Sequence, residues 1–420
     1  MEPVKDRLLF AFGKERNLLD FMLQAMLQLA VMVAVAKLTG ELAIRLGQPS
    51  VLGKLLAGVL VGPAVLGWVE SFHWIEVFAE IGVLLLMFLA GMETDLKMLN
   101  ENRTSSLAVA TGGILFPLVG GYLVGWLWLG LDQGDAIFLG LLLSATSVSI
   151  SVQTFRELGK LGTREATTVL GAAIADDILV VIGLAVTLGL LTASGVSFGA
   201  VFGWMAAFAV VVVLMVWKGI PLLLRLSSRL SVTEPVLSAA VVIVLLMAFA
   251  AEYSGMAGII GSFAAGLAVS RTAFREKVER GVERIAYPLF VPVFFVSIGL
   301  HVTFDGLGEQ WLALIVLCVL AVLTKLIGSG LGARVTGFGG RSSLVIGSGM
   351  VSRGEVALII AAIGLGNGLV PVDLYTTVIL VIVFTTMAAP PMLKWTLREP
   401  KGAAAGTGEV RSARGDGTRD

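Results

Sequence analysis

An all-α polytopic membrane protein of thirteen transmembrane helices, built as an inverted repeat around two interrupted spans, is the fold class that the sequence predicts. Three observations predict it: the composition, the spacing and charged flanks of the apolar runs, and five ionisable residues set deep inside those runs. Of the 420 residues, 57% are hydrophobic and only 14% charged, with a mean hydropathy of +0.93. Soluble chains carry about 25% charged residues, so solvated domains of this total length would lack the polar surface they need. The 30 basic residues match 30 acidic ones, which excludes a generic nucleic-acid binder, because phosphate binding needs a basic excess. One cysteine, Cys318, excludes a disulfide framework, and two histidines, His73 and His301, argue against a histidine metal cluster.

A spanning helix takes about 20 mainly apolar residues. Such runs fall at 18–40, 49–68, 76–98, 104–130, 135–157, 165–192, 197–227, 232–254, 256–271, 285–303, 309–334, 342–367 and 371–397. The ninth is short, and the tenth carries Pro288 and Pro292. Residues 1–17 form a polar segment of mixed charge. The first apolar run exceeds a signal-peptide core and lacks a small-x-small cleavage site, so it reads as a retained helix. The Gly/Ala-rich tail at 398–420 reads as disordered. No soluble nucleotide-binding or regulatory domain is expected in the chain.

Lysine and arginine positions test the count independently. The loops after odd-numbered runs, with the adjoining run ends and the tail, hold 24 of the 30 basic residues, from Lys37 and Arg45 to Lys394 and Arg398. The loops after even-numbered runs hold none. A miscounted span in mid-chain would break that alternation. The C-terminus is therefore expected in the cytoplasm and the N-terminus outside, in a bacterial inner membrane.

Ionisable residues deep in a span are costly and are functional candidates by default. Asp176 and Asp177 lie in run six, Lys325 in run eleven, and Arg353 with Glu355 in run twelve. Glu80, Glu93, Asp95 and Glu252 sit near run ends and read as interfacial or packing residues. Two adjacent carboxylates at mid-membrane cannot both stay ionised without a cation or a proton, since burial and mutual repulsion both oppose it. Asp176 lies 11 residues into run six and Lys325 lies 9 residues before the end of run eleven. At 1.5 Å per residue both stand at a depth of roughly 14–17 Å, so Lys325 is the expected partner of one aspartate.

Runs five and twelve look breakable. The first reads LLLSATSVSISVQTF, with Thr146 and Ser147 among five mid-span hydroxyls, and the second reads SLVIGSGMVSRGEVALIIA. Hydroxyls and glycines let freed backbone groups be satisfied again inside a membrane protein. Runs five and twelve are seven apart and so cross in opposite directions, as do four against eleven and six against thirteen. That predicts an inverted repeat of runs 4–6 against 11–13, with a discontinuous helix at the centre of each half.

The stretches EIGVLLLMFLAGMETDL (80–96), SATSVSISVQTFRELGKL (144–161), AIADDILVV (173–181), GIIGSFAAGLAVS (258–270), VPVFFVSIGL (291–300), LTKLIG (323–328) and VSRGEVALIIA (351–361) resemble monovalent cation–proton antiporter family 2, in its Kef- and NapA-like branch. The resemblance covers residues 20–397. Kef-like potassium systems usually read Gln-Asp at the paired position and attach a soluble domain; Asp-Asp here is more similar to the sodium–proton side. The resemblance implies the NhaA/NapA-like antiporter fold. Residues 104–192 and 309–397 would form a moving ion-transporting core, 18–98 and 232–303 a dimerisation scaffold, and 197–227 a linker helix. It further implies that Asp177 is the carrier, that Asp176 pairs with Lys325, and that Thr146, with Ser147 beside it, stands near the ion. Arg353 and Glu355 are expected, from their place on the second interrupted helix, to balance charge there.

The function expected is electrogenic exchange of Na+, and of Li+, for H+ by alternating access, in a homodimer that serves pH homeostasis and uses no cofactor, the ions being substrates. Potassium–proton exchange of the Kef type is the nearest alternative. A sodium-coupled organic solute symporter is an alternative of another class, and a passive channel or sensor is a third.

Overall fold

The computed structural model describes residues 2–70, 72–191, 198–304, 308 and 310–398, with side chains described from Phe21 onward apart from a few positions such as Glu355. The expected tail at 398–420 thus lies outside the described residues, except for Arg398. Among the described residues every regular element is helical.

Helix α1 (Glu2–Arg45) joins the polar N-terminal segment and the first apolar run in one helix. It stops at Gly47, whose φ of 71° suits a glycine terminator, and Pro49 follows. Then come α2 (Ser50–Val61), α3 (His73–Glu93), the short α4 (Leu96–Glu101) capped by the Asp95 side chain, and α5 (Arg103–Leu127). The fifth run is divided into α6 (Gln133–Ser144) and α7 (Val148–Glu157), and α8 (Arg164–Leu191) carries the aspartate pair. Next are α9 (Phe198–Leu214), α10 (Ile220–Ser227), α11 (Pro235–Tyr253), α12 (Gly258–Val269), α13 (Arg275–Ile285) and α14 (Val291–Leu300). Wide π-helical turns at 215–219 and 286–290 join α9 to α10 and α13 to α14. They immediately precede Pro221 and Pro292, where the missing N–H and the ring would break an ordinary α-helical turn. The prolines of run ten are thereby absorbed into one helix that begins ten residues earlier than expected. The chain ends with α15 (Trp311–Val335), α16 (Gly340–Gly349), α17 (Glu355–Gly366) and α18 (Val372–Leu397).

Among the described residues, ten helices are long and apolar enough to cross a membrane. The three remaining sequence runs, two, nine and twelve, correspond to α2, α12 and the divided pair α16–α17, which are shorter. Large apolar side chains face outward, such as Trp217 at 64% and Val335 at 85% exposure, while Asp176, Lys325, Arg353 and a set of hydroxyls are buried. That inversion fits lipid as the surrounding solvent.

Helix α5 packs directly on α15. A Cβ on Gly112 would lie 2.2 Å from the Gly328 carbonyl oxygen, and one on Gly328 would lie 2.3 Å from that of Gly112. Two glycines let the backbones touch, as small residues do in membrane bundles. One turn away, a Cβ on Gly113 would stand 3.4 Å from Lys325 Nζ, so the same contact seats Lys325 against α5. Gly328→Ala should therefore cost about 1–3 kcal/mol through backbone overpacking. It would appear as a lower melting temperature of the detergent-purified protein; an unchanged one would show that the two helices part without cost.

Candidate functional site

The two interrupted helices cross and hold one another through their breaks. Residues 145–147 separate α6 from α7, and residues 350–354 separate α16 from α17. The Ser147 backbone N–H donates to the Ser352 carbonyl at 2.8 Å, and the Ser352 hydroxyl donates to the Ser147 carbonyl at 2.9 Å. The Ser151 hydroxyl donates to Gly349 O at 2.5 Å and lies 3.2 Å from the Ser352 hydroxyl. Side chains and the opposite break thus replace bonds that an unbroken helix would make within itself.

Arg353 answers the carbonyls left over. It is fully buried. Its guanidinium donates to Leu143 O at 3.0 and 2.5 Å, to Ala321 O at 3.1 Å and to Val351 O at 3.1 Å. Leu143 lies in the last turn of α6, where the helix dipole is negative, so a cation is favoured there. The Thr386 hydroxyl of α18 donates in turn to the Arg353 carbonyl. Arg353 therefore touches backbone oxygens. The Glu355 side chain lies outside the described residues.

Beside this crossing, Lys325 Nζ donates to Asp176 Oδ1 at 3.0 Å, and neither side chain is exposed. Thr146 lies against Asp176. Its hydroxyl and Asp176 Oδ2 are both buried with no hydrogen-bond partner among the described residues. Buried oxygens of that kind are costly unless a proton or a cation meets them. Ser147 takes part in the crossing, and its hydroxyl stands 3.2 Å from that of Ser149.

Asp177 is 2% exposed and points elsewhere than its neighbour, since adjacent helical residues differ by about 100°. It shares a face of α8 with Val180, Val181 and Leu184, three, four and seven residues on. These three line a cavity of about 570 Å³ whose other wall carries Glu80, Glu252 and His301. One helical turn separates Asp177 from the cavity floor. Glu252 accepts from the Gly258 N–H at 2.6 Å, so it also caps α12.

A family model described as sodium/hydrogen exchanger, transmembrane, matches residues 30–399. The chain belongs to the sodium/hydrogen exchanger family. The family is one of secondary transporters rather than enzymes. The chain is similar to the Na(+)/H(+)-K(+) antiporter GerN of Bacillus cereus, at 56% identity over 369 residues, 88% of this chain and 95% of that protein. It is also similar to a Na(+)/H(+) antiporter of Enterococcus hirae, at 40% identity over 371 residues, 87% of this chain and 96% of that protein. Among solved structures, the sodium proton antiporter MjNhaP1 of Methanocaldococcus jannaschii shares the fold, with a TM-score of 0.61 over 88% of this chain and 96% of that one, at 17% identity.

The structure of this exchanger brings Asp176, Asp177, Lys325, Thr146 and Arg353 into one buried region around the crossing. Sequence reasoning did not find Thr386, nor the reciprocal role of Ser352. Thr385 and Thr386 stand as a hydroxyl pair inside an otherwise aliphatic stretch of run thirteen, and that was the available signal.

Removing one member of the ion pair strands the other. Lys325→Met should cost about 3–5 kcal/mol, and adding Asp176→Asn should restore much of it. Thermal unfolding of the four proteins of that cycle reads the coupling; a loss in the double variant equal to the sum of the two single losses would sink the pair.

Proposed function

We propose that the protein is a secondary active antiporter that exchanges Na+ for H+ across a bacterial inner membrane by alternating access. The observation that carries this reading is the buried acidic pair on α8: Asp176 meets Lys325 at 3.0 Å, and Asp177 is a second buried carboxylate, three residues before Val180, the first α8 residue that lines the cavity. Asp177 then holds either a proton or a dehydrated sodium ion, with Asp176, Thr146 and backbone carbonyls completing an oxygen shell. Binding of one ion releases the other. A loaded site crosses, while a bare charged one is opposed by the low-dielectric interior. Arg353 keeps the carbonyl end of α6 balanced throughout.

The chain crosses the membrane thirteen times in this reading, with the N-terminus outside. The basic-residue alternation supports it, and the cavity then opens outward, because the starts of α3 and α12 and the end of α14 lie on that side. An internal repeat is supported by spacing: Gly53, Gly58 and Gly91 lie 208 residues before Gly261, Gly266 and Gly299. Each of these six would drive a Cβ to within 2.5 Å of a neighbouring carbonyl oxygen. The contact of Gly58 in α2 with Gly299 in α14 maps under that offset onto the contact of Gly266 in α12 with Gly91 in α3. Helices α5–α8 and α15–α18 form the moving core, α1–α3 and α11–α14 the scaffold that pairs two copies, and α9–α10 the link.

If two protons move per sodium ion, one net charge crosses per cycle and transport couples to voltage at ~2.3 kcal/mol per 100 mV. The aspartates and lysine then titrate as one coupled group. Potassium is the second reading, favoured by the similarity to the Na(+)/H(+)-K(+) antiporter of Bacillus cereus. Proton flux in liposomes with sodium, lithium, potassium and a choline control, over several pH values, separates the two. Asp177→Asn should abolish sodium-dependent proton release, and retained exchange would overturn the carrier role. Lys325→Gln should displace the pH profile of exchange; a profile identical to the parent protein's would count against coupling between the lysine and the carrier.

A further inference from the structure

The interface between the two groups of helices differs between its two ends. Toward the starts of α3 and α12 the groups stand apart around the 570 Å³ cavity. At the opposite end the last turn of α7 is fastened across the interface. Arg156 Nη2 lies 2.7 Å from Glu93 Oε1, at the end of α3, and 2.5 Å from Glu283 Oε1, on α13. Its guanidinium also stacks on Tyr287, 5.0 Å from the ring centre. The adjacent Glu157 accepts from the backbone N–H of Ser50 at 2.6 Å and of Val51 at 3.3 Å, accepts from the Ser50 hydroxyl, and pairs with Lys54 at 3.4 Å.

The Glu157 contact is a helix cap supplied from another helix. Pro49 occupies the N-cap position of α2, and no side chain of α2's own flank caps it. A carboxylate there meets free N–H groups and the positive end of the helix dipole. It comes from α7, the half-helix whose other end forms the crossing at the ion site. A third tie runs in the same direction: Lys394, near the end of α18, donates to Gly47 O just ahead of α2.

We propose that Arg156 and Glu157 form a latch that holds the ion-carrying helices closed against the scaffold on the cytoplasmic side, and that its release opens the site inward. This inference rests on the exchanger reading above. The contacts suit a joint that opens. Side-chain exposure is 16% for Arg156, 22% for Glu93, 37% for Glu283 and 17% for Glu157, against 0% for both partners of the Lys325–Asp176 pair. Water can therefore replace each partner as the joint parts, which keeps such pairs weak enough to cycle. The paired surfaces are long polar side chains, so parting them leaves little apolar area in water. Arg156 bridges two carboxylates from separate scaffold helices, so its loss frees both at once.

Two measurements test this in a Cys318→Ala background, since Cys318 is the chain's one cysteine. The first reads which side is open. Leu184→Cys places a thiol on the cavity wall, to be labelled from outside by a membrane-impermeant maleimide in right-side-out vesicles. Combining Arg156→Gln with Glu157→Gln should slow labelling about tenfold, as expected when charge-assisted hydrogen bonds are lost from one of two exchanging states. An unchanged rate overturns the latch. Should that protein not fold, Glu93→Gln, Glu283→Gln and Lys54→Met together remove the charged scaffold partners of both residues and carry the same expectation. The second measurement locks the joint. Ser50→Cys with Glu157→Cys, bridged by a short bifunctional methanethiosulfonate, should stop sodium–proton exchange in proteoliposomes and regain it on reduction. Exchange that persists in the bridged protein overturns the latch. Absence of sodium–proton exchange in the unsubstituted protein overturns the exchanger reading instead, and the labelling rates still report whether the joint sets the open side.

Discussion

Lys325 and Asp176 meet at 3.0 Å where neither side chain is exposed. An ion pair in that setting repays its desolvation only when its geometry is held and its remaining polar atoms are answered. Much of the surrounding architecture follows from that constraint. Backbone contact at Gly112 and Gly328 fixes α15 against α5 and thereby fixes the lysine. The adjacent carboxylate, Asp177, is buried as well, three residues before the first α8 residue that lines the cavity.

The interrupted helices answer a second electrostatic demand. Breaking a helix inside a membrane frees N–H and C=O groups that lipid cannot satisfy. Here each break satisfies the other, through Ser147 and Ser352, and the surplus carbonyls fall to Arg353. An arginine suits that task because its planar fork of five donors remains charged when buried. The arrangement gives the crossing dipole ends of both signs without spending either aspartate on neutralising them.

Polar chemistry is distributed very differently at the edge of the same interface. At the centre, hydrogen bonds are dry and mutual, as the crossing and the ion pair show. At the rim, Arg156, Glu157 and Lys394 reach across to groups that water can replace. Contacts of the first kind resist separation, and contacts of the second kind part at smaller cost.

The sequence by itself determined the class, the run count and the principal charged residues, because lipid imposes length and hydropathy locally and makes each intramembrane charge conspicuous. Asp176, Asp177, Lys325 and Arg353 stood out on that ground, and equal depth matched Lys325 to one aspartate of the pair, which the structure shows to be Asp176. The lengths of α2 and α12, the π-helical turn that takes in Pro288 and the place of Pro292 in the first turn of α14 were not legible, since apolar runs extend past helix ends. Nor were the partners of Arg353, the hydroxyl of Thr386 or the cap that Glu157 places on α2. Those depend on which backbone atoms two distant helices bring within 3 Å of each other. Such contacts are decided by packing, through close-approach glycines and helix crossings that no single segment encodes. Sequence named the charges; only the tertiary structure decided which of them pair with each other, which face a helix end and which reach across to a neighbouring helix.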